Sequence, residues 1–251
     1  MEQVFSVEEK VTRVSERQSA ADFPVVARDR FLTLVEDPSF PCLGAKGAIN
    51  NNSYCFSTYD SLASDSTSKK LACALGQFAK SEMARTNDYA TFIAVFQAPL
   101  SVDEIEFERL LWLQLQKLHD FDTQGNGWDP SVSPDPGDAR FSFSFAGQAF
   151  YVIGMHADSS RIARQSPWPA LIFNPHAQFE KLRTKGHWRR MQEKIRERDI
   201  ALQGTINPML SDFGEASEAR QYSGRTVEEN WRPDFRVVQP KSKNGGCPFH
   251  H

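Results

Sequence analysis

FSFSFAGQAFYVIGM, residues 141–155, is the stretch on which the fold turns. Phe and Ser alternate from Phe141 to Phe145, which is the period-two pattern of a half-buried strand. Ala146-Gly147 follows as a two-residue turn. Gln148–Met155 is a more continuous apolar run and reads as the return strand, so the stretch predicts a β-hairpin. Working outward, Ala170–Phe173 is a short apolar strand. Thr91–Ala98 (TFIAVFQA) is β-branched and aromatic, and reads as a buried strand ended by Pro99. Helical spacing predicts helices over Phe23–Val35, over Lys69–Ala84, from Ser101 to about Leu118, and over Ala177–Leu202 with a break near Gly186. Ser101 and Glu104 form a capping box for the third of these. Phe40–Ala48 (FPCLGAKGA) is small and Gly-rich and reads as a tight loop. Asp120–Ala139 reads as a long turn-rich loop, the length at which loops act as lids. The order of elements predicts an α+β fold, a mixed and mainly antiparallel sheet surrounded by helices. One domain is expected over residues 23–251, after a polar segment at residues 1–22 expected to be flexible.

The 251 residues carry a net charge of −3, with 40% hydrophobic and 24% charged residues. That is ordinary globular composition, and it gives no general attraction to nucleic acid. No apolar run reaches the length of a membrane span and the N-terminus is not a signal peptide, so a cytoplasmic location is expected. Phe is over-used, at 19 against 5 Tyr and 5 Trp. Such a chain fills a core, and can also line a dry pocket for a flat apolar cofactor. The four cysteines, Cys42, Cys55, Cys73 and Cys247, form no CxxC pair. The common phosphate-binding, nucleophile-elbow and HExxH signatures are absent.

Four clusters carry chemistry. His156 stands where a strand ends, a rigid place for a metal-ligating imidazole and equally for a turn cap. Arg161 and Arg164 follow it and suit carboxylates. His176 opens a helix after Asn174-Pro175, where the dipole disfavours protonation and keeps the ring able to ligate. His187 lies on a solvated charged helix, and His119 at a helix end favours a cation. Between Gln203 and Arg225, Asp212, Glu215 and Glu218 suit a cationic amine or guanidine, whereas Arg220, Tyr222 and Arg225 suit carboxylates. Cys247, in the terminal CPFHH, offers a thiolate or belongs to a loose tail.

Taken together, FPCLGAKGA (40–48), GMHADSSR (154–161), FNPHAQFEKLR (173–183), IRERDIALQGTINPMLSDFGEASEARQYSGR (195–225) and CPFHH (247–251) resemble the YqcI/YcgG family. The resemblance covers most of the chain after about residue 22. It implies a haem b enzyme, an N-monooxygenase that hydroxylates a nitrogen of an amino acid such as the guanidine of L-arginine. Dioxygen and an external electron donor are then the co-reactants, and natural-product biosynthesis the setting. Carried over residue by residue, it implies His156 as axial ligand, with His176 and Cys247 as alternatives. Cys42 also sits in a family motif, as a thiolate alternative. Arg161 and Arg164 are then propionate partners, Arg225 a further cofactor contact, and Glu215 and Glu218 hold the cationic substrate. A homodimer is compatible with the resemblance. Trp231-Arg232-Pro233-Asp234-Phe235 departs from the more apolar Pro-Phe element expected there, which questions a substrate pocket near the C-terminus. Two other classes compete. One is a haem sensor or carrier without turnover; the other is a non-haem iron enzyme using His156, His176 and a carboxylate.

Overall fold

The computed structural model describes residues 22–184, 186 and 188–238. Helices α1 (Phe23–Glu36) and α2 (Leu43–Asn50) precede strand β1 (Tyr54–Ser61). Helices α3 (Asp65–Lys80) and α4 (Glu82–Thr86) cross over to β2 (Thr91–Ala98). Helix α5 (Glu104–Asp122) leads to β3 (Phe143–Phe145), β4 (Gln148–Met155) and β5 (Ala170–Pro175). Helices α6 (His176–Thr184), α7 (Trp188–Gln203) and the short α8 (Ala219–Tyr222) complete the described elements. The strands form one sheet in the order β1-β2-β5-β4-β3. β1 and β2 are parallel, and every other pairing is antiparallel. The fold is the expected α+β arrangement.

The hairpin lies where the sequence put it. Phe143 pairs with Phe150 and Phe145 with Gln148. Ala146 and Gly147 both take positive φ, at 54° and 73°. That is the backbone of a type I′ turn, whose twist matches the flanking strands.

Strand parity divides the interior in two. Phe92, Phe96, Phe150, Val152, Leu171 and Phe173 enter one core with α3 and α5. Ile93, Val95, Met155 and Ile172 enter another, with Phe23, Phe31 and Val35 of α1 and with Trp168. Most of the phenylalanines fill the first core, so Phe enrichment here builds packing. Gly154 marks the tightest contact. A Cβ on it would lie 2.7 Å from Leu111 Cδ1 and 2.8 Å from both Phe107 Cε1 and the Tyr222 carbonyl oxygen. No β-carbon tolerates contacts that short.

Several local expectations give way. Residues 40–48 are not a loop, since α2 occupies most of them. Cys42 caps it by accepting the Ala45 N–H at 3.4 Å. Gly47 lets α2 meet the Tyr89 ring, 3.0 Å from where a Cβ would stand. The helix expected over Lys69–Ala84 starts earlier, capped by Ser64, and is cut at Ser81, which caps α4 in turn. The Ser101–Glu104 capping box does not form. Asp103 caps α5, while Ser101 bonds Asp158 and Glu104 bonds the Ser160 N–H and hydroxyl. β1 was not expected. Its residues are mostly half-buried, as befits an edge strand, and they carry no alternation. The loop after α5 is fastened to the hairpin, Asp129 accepting from Ala149 N–H and donating its own N–H to Ser144. His119 is buried instead of cationic. Desolvation lowers its pKa, and its Nε2 accepts the Val238 N–H at 2.9 Å.

Candidate functional site

A cavity of about 280 Å³ opens on the α1–α2 side of the sheet. That volume is at the lower end for small-molecule sites. Its floor is the odd-numbered face of β4 (Tyr151, Ile153, Met155) with Ile93, Ile172 and Asn174 from the neighbouring strands. Its sides come from α1 (Phe31, Val35), α2 (Ala45, Ala48, Ile49) and α6 (Phe179, Leu182). Helix α7 roofs it with Trp188, Met191 and Ile195, which recur at i, i+3 and i+7 and so share one helical face. Asp199 is the buried residue of α7, so the apolar stripe of that helix faces the cavity and not a packed core. No residue between 120 and 139 lines the space, so the long loop is not its lid.

Polar groups interrupt this apolar wall at a few places. Cys42 Sγ stands at the N-terminus of α2, where a helix favours an anion. Burial pushes the thiol up from its usual range, opposed by the Ala45 N–H and by the charge of Arg164. Glu218 is buried; its Oε1 lies 3.6 Å from His176 Nε2, and its Oε2 is 3.5 Å from the Tyr222 hydroxyl. His176 is buried too, edge-on to Phe213 at 4.4 Å between ring centres. The Tyr151 hydroxyl donates to Gln221 Oε1 at 2.8 Å. Desolvation raises the Tyr151 pKa, and the charges of Arg164, Glu218 and Cys42 all reach that ring.

The two arginines expected to act alike are used differently. Arg161 forms a buried ion pair with Asp199, Nη2 to Oδ2 at 2.5 Å, and also donates to Thr205 Oγ1 and to the Thr205 carbonyl. It fastens α7 over the cavity. Arg164 donates instead to the carbonyls of Gly154, Tyr222 and Gln221 at 3.0, 3.4 and 3.1 Å.

His156 lies elsewhere. Parity after Phe150, Val152 and Gly154 turns it toward α5, where it stacks on Phe107 at 4.3 Å with the planes 22° apart. The ring is buried and desolvation lowers its pKa, opposed by the charges of Glu104 and Asp158 and by the Val102 backbone. The register makes the distance plain. Met155 pairs with Ala170 and Phe150 with Pro175, so His156 and His176 follow opposite ends of the β4–β5 ladder. Seven residues of strand separate those levels, roughly 20 Å. One iron cannot take both imidazoles, which removes the geometry of the non-haem alternative. Among the described residues no group of three or more His, Cys, Asp or Glu is placed to hold a metal ion.

The remaining candidates divide cleanly. Glu215 is exposed and accepts the Asp212 N–H at 3.1 Å, away from the cavity wall. Arg225 clasps Glu108 through two bonds of 3.3 and 3.0 Å, joined by Ser223 and the Trp231 indole. That cluster ties the C-terminal stretch to α5. Phe235 packs into the core there, so the atypical residues 231–235 lie apart from the cavity. Cys247 and His187 lie outside the described residues. Sequence reasoning missed Tyr151, Asn174 and Gln221. The parity of Tyr151 with Ile153 and Met155 was the available signal.

A model of the YqcI/YcgG family matches residues 31–236. The chain belongs to that family. The YqcI/YcgG match takes in every wall of the cavity, from Phe31 to Gln221. No curated protein and no solved structure matches the chain. Among the described residues no helix is long and apolar enough to cross a membrane.

The cavity brings together a thiol and a guanidinium, groups that could serve an iron and an acid side chain. The Cys42 thiol accepts a backbone N–H at a helix N-terminus, which would stabilise a thiolate once a metal displaced the proton that burial retains. Its walls are mostly apolar, and Arg164 has no carboxylate partner among the described residues.

Proposed function

We propose that this YqcI/YcgG protein is a haem-dependent N-oxygenase, a monooxygenase that hydroxylates a nitrogen of an amino acid such as L-arginine. The observation that carries the reading is the convergence of Cys42, Glu218 and Arg164 on one apolar cavity inside the family match. Bound haem would supply dioxygen binding and its reductive activation, chemistry that no side chain offers.

We assign the iron to Cys42, because its sulfur lines the cavity while His156 faces the opposite core. The buried thiol keeps its proton until metal displaces it, and the α2 N-terminus then stabilises the anion. Glu218 holds the cationic nitrogen of the substrate. A nitrogen must shed a proton before its lone pair can react, and Glu218 is positioned to accept it, with His176 next in line at 3.6 Å. The apolar walls and the α7 roof keep bulk water out, which strengthens both interactions.

Absorption spectra of the ferric, reduced and carbon monoxide-treated protein test the reading. A strongly red-shifted carbon monoxide band is expected, retained in His156→Ala and lost in Cys42→Ser. A histidine-type spectrum abolished by His176→Ala would transfer the iron to that residue. Absence of any Soret band after haem is added would refute the haem enzyme. Incubation with L-arginine, dioxygen and a chemical reductant should give a product bearing one added oxygen. Haem binding without product would leave a sensor or carrier.

A further inference from the structure

Arg164 is held as a receptor holds its cation. Its stem packs on Gly224, whose absent Cβ would lie 3.1 Å from Arg164 Cγ. Gly224 has φ 88°, a conformation that suits glycine, so the close approach is built into the backbone. The three carbonyls of Gly154, Tyr222 and Gln221 take two hydrogens of Nη1 and one of Nη2. A guanidinium has five N–H donors. The three carbonyls leave over the Nε–H and the second Nη2 hydrogen, and the Tyr151 hydroxyl oxygen is the side-chain atom beside them. Those two donors lie on one edge of the plane, the edge that grips a carboxylate bidentately.

The surroundings also call for an anion. Among the described residues no carboxylate lies within ion-pair distance of Arg164. Asp199, whose charge reaches it, is already bonded to Arg161. Desolvation pulls the Arg164 pKa down from its usual range, the mark of a cation without a bonded counter-ion. Arg183 and Arg196 add positive charge to the same wall. The Tyr151 hydroxyl, its hydrogen given to Gln221, turns its oxygen toward Arg164.

We infer that Arg164 is the carboxylate-binding residue of the cavity, clamping one carboxylate through Nε and Nη2. The carboxylate comes either from the small-molecule ligand or from a porphyrin propionate. The chemistry is the same, and the inference stands whether or not haem binds.

Two ligand pairs distinguish the sources, each titrated into the full-length protein. Trp188, in the cavity wall, provides a fluorescence signal, and calorimetry gives the affinity. L-arginine against agmatine, its decarboxylated counterpart, tests the ligand. Haem against haem dimethyl ester tests the propionate. A bidentate charged contact predicts about tenfold or greater preference for the free acid in one pair. Arg164→Lys should shrink that preference. Because this variant also loses carbonyl contacts, the comparison in the unmodified protein decides. Equal affinities within both pairs, or no binding by any of the four probes, would overturn the assignment. A protein that ignores haem yet prefers L-arginine to agmatine keeps the inference and loses the proposed enzyme.

Discussion

Replacing Asp199 by Asn keeps the shape of the side chain and removes the anion from Arg161. The pair is buried, with side-chain exposures of 7% and 8% and an N···O distance of 2.5 Å. Two unit charges about 4 Å apart attract by roughly 4 kcal/mol at an effective dielectric near 20. Most of that attraction repays the cost of drying both groups, so the intact pair adds little net stability. Removing one partner is another matter, because Arg161 stays buried without compensation, at a cost of about 3–5 kcal/mol. Asp199→Asn and Arg161→Met should each destabilise on that scale. The double replacement Arg161→Met with Asp199→Asn should recover much of the loss. Urea unfolding of the four proteins gives the cycle directly. Hydrogen exchange adds the location, and α7 should exchange faster in the single variants while α5 does not. Single variants within about 1 kcal/mol of the parent, or a double variant equal to the sum of the singles, would refute the claim that this pair fastens the roof.

Three further outcomes follow from the buried polar groups. Desolvation depresses the pKa of His156, so below its ordinary value of 6.5 the unfolded chain binds a proton that the native state refuses. Stability is therefore full above that pH and falls as pH drops toward the native value, by at most about 1.4 kcal/mol per pH unit for one histidine. Urea midpoints between pH 7 and pH 5 should show a shallower decline in His156→Phe. His119, shifted the same way, supplies the decline that remains. Tyr222→Phe removes the hydroxyl that accepts the Phe143 N–H at 3.0 Å in the core, leaving a buried donor unpaired. A loss of about 1–3 kcal/mol is expected, measurable by thermal or urea unfolding. Gly154→Ala drives a methyl into Leu111, Phe107 and the Tyr222 carbonyl, and should cost about 1–3 kcal/mol in the same assay.

The sheet was legible where side chains alternate or cluster. The FSFSF run fixed the hairpin, and TFIAVFQA fixed the central strand β2. β1 was not, because YCFSTYDS lies half-buried at an edge and needs no alternation. α2 was hidden by Gly44 and Gly47, which favour loops locally, although Gly47 here admits the Tyr89 ring against the helix. The capping box failed for a related reason, since Glu104 gains more from two bonds to Ser160 than from its own helix. At the site, Cys42, Arg164, His176 and Glu218 were legible as residue types. Their roles were not, because a strand's parity decides which side of the sheet a residue serves. His156 follows the even positions of β4 and faces the packed core, while Tyr151 follows the odd ones and faces the cavity.

Gly154 belongs to both halves of this division. Its bare α-carbon meets α5, and its carbonyl holds the Arg164 guanidinium. A ligand that engages the free edge of Arg164 tightens a group anchored to the strand at its closest contact with the core. Saturating such a ligand would raise the melting temperature by mass action, even of a chain already weakened at Gly154. Melting curves taken across ligand concentration could then serve as a screen for the natural ligand, requiring neither reductant nor turnover.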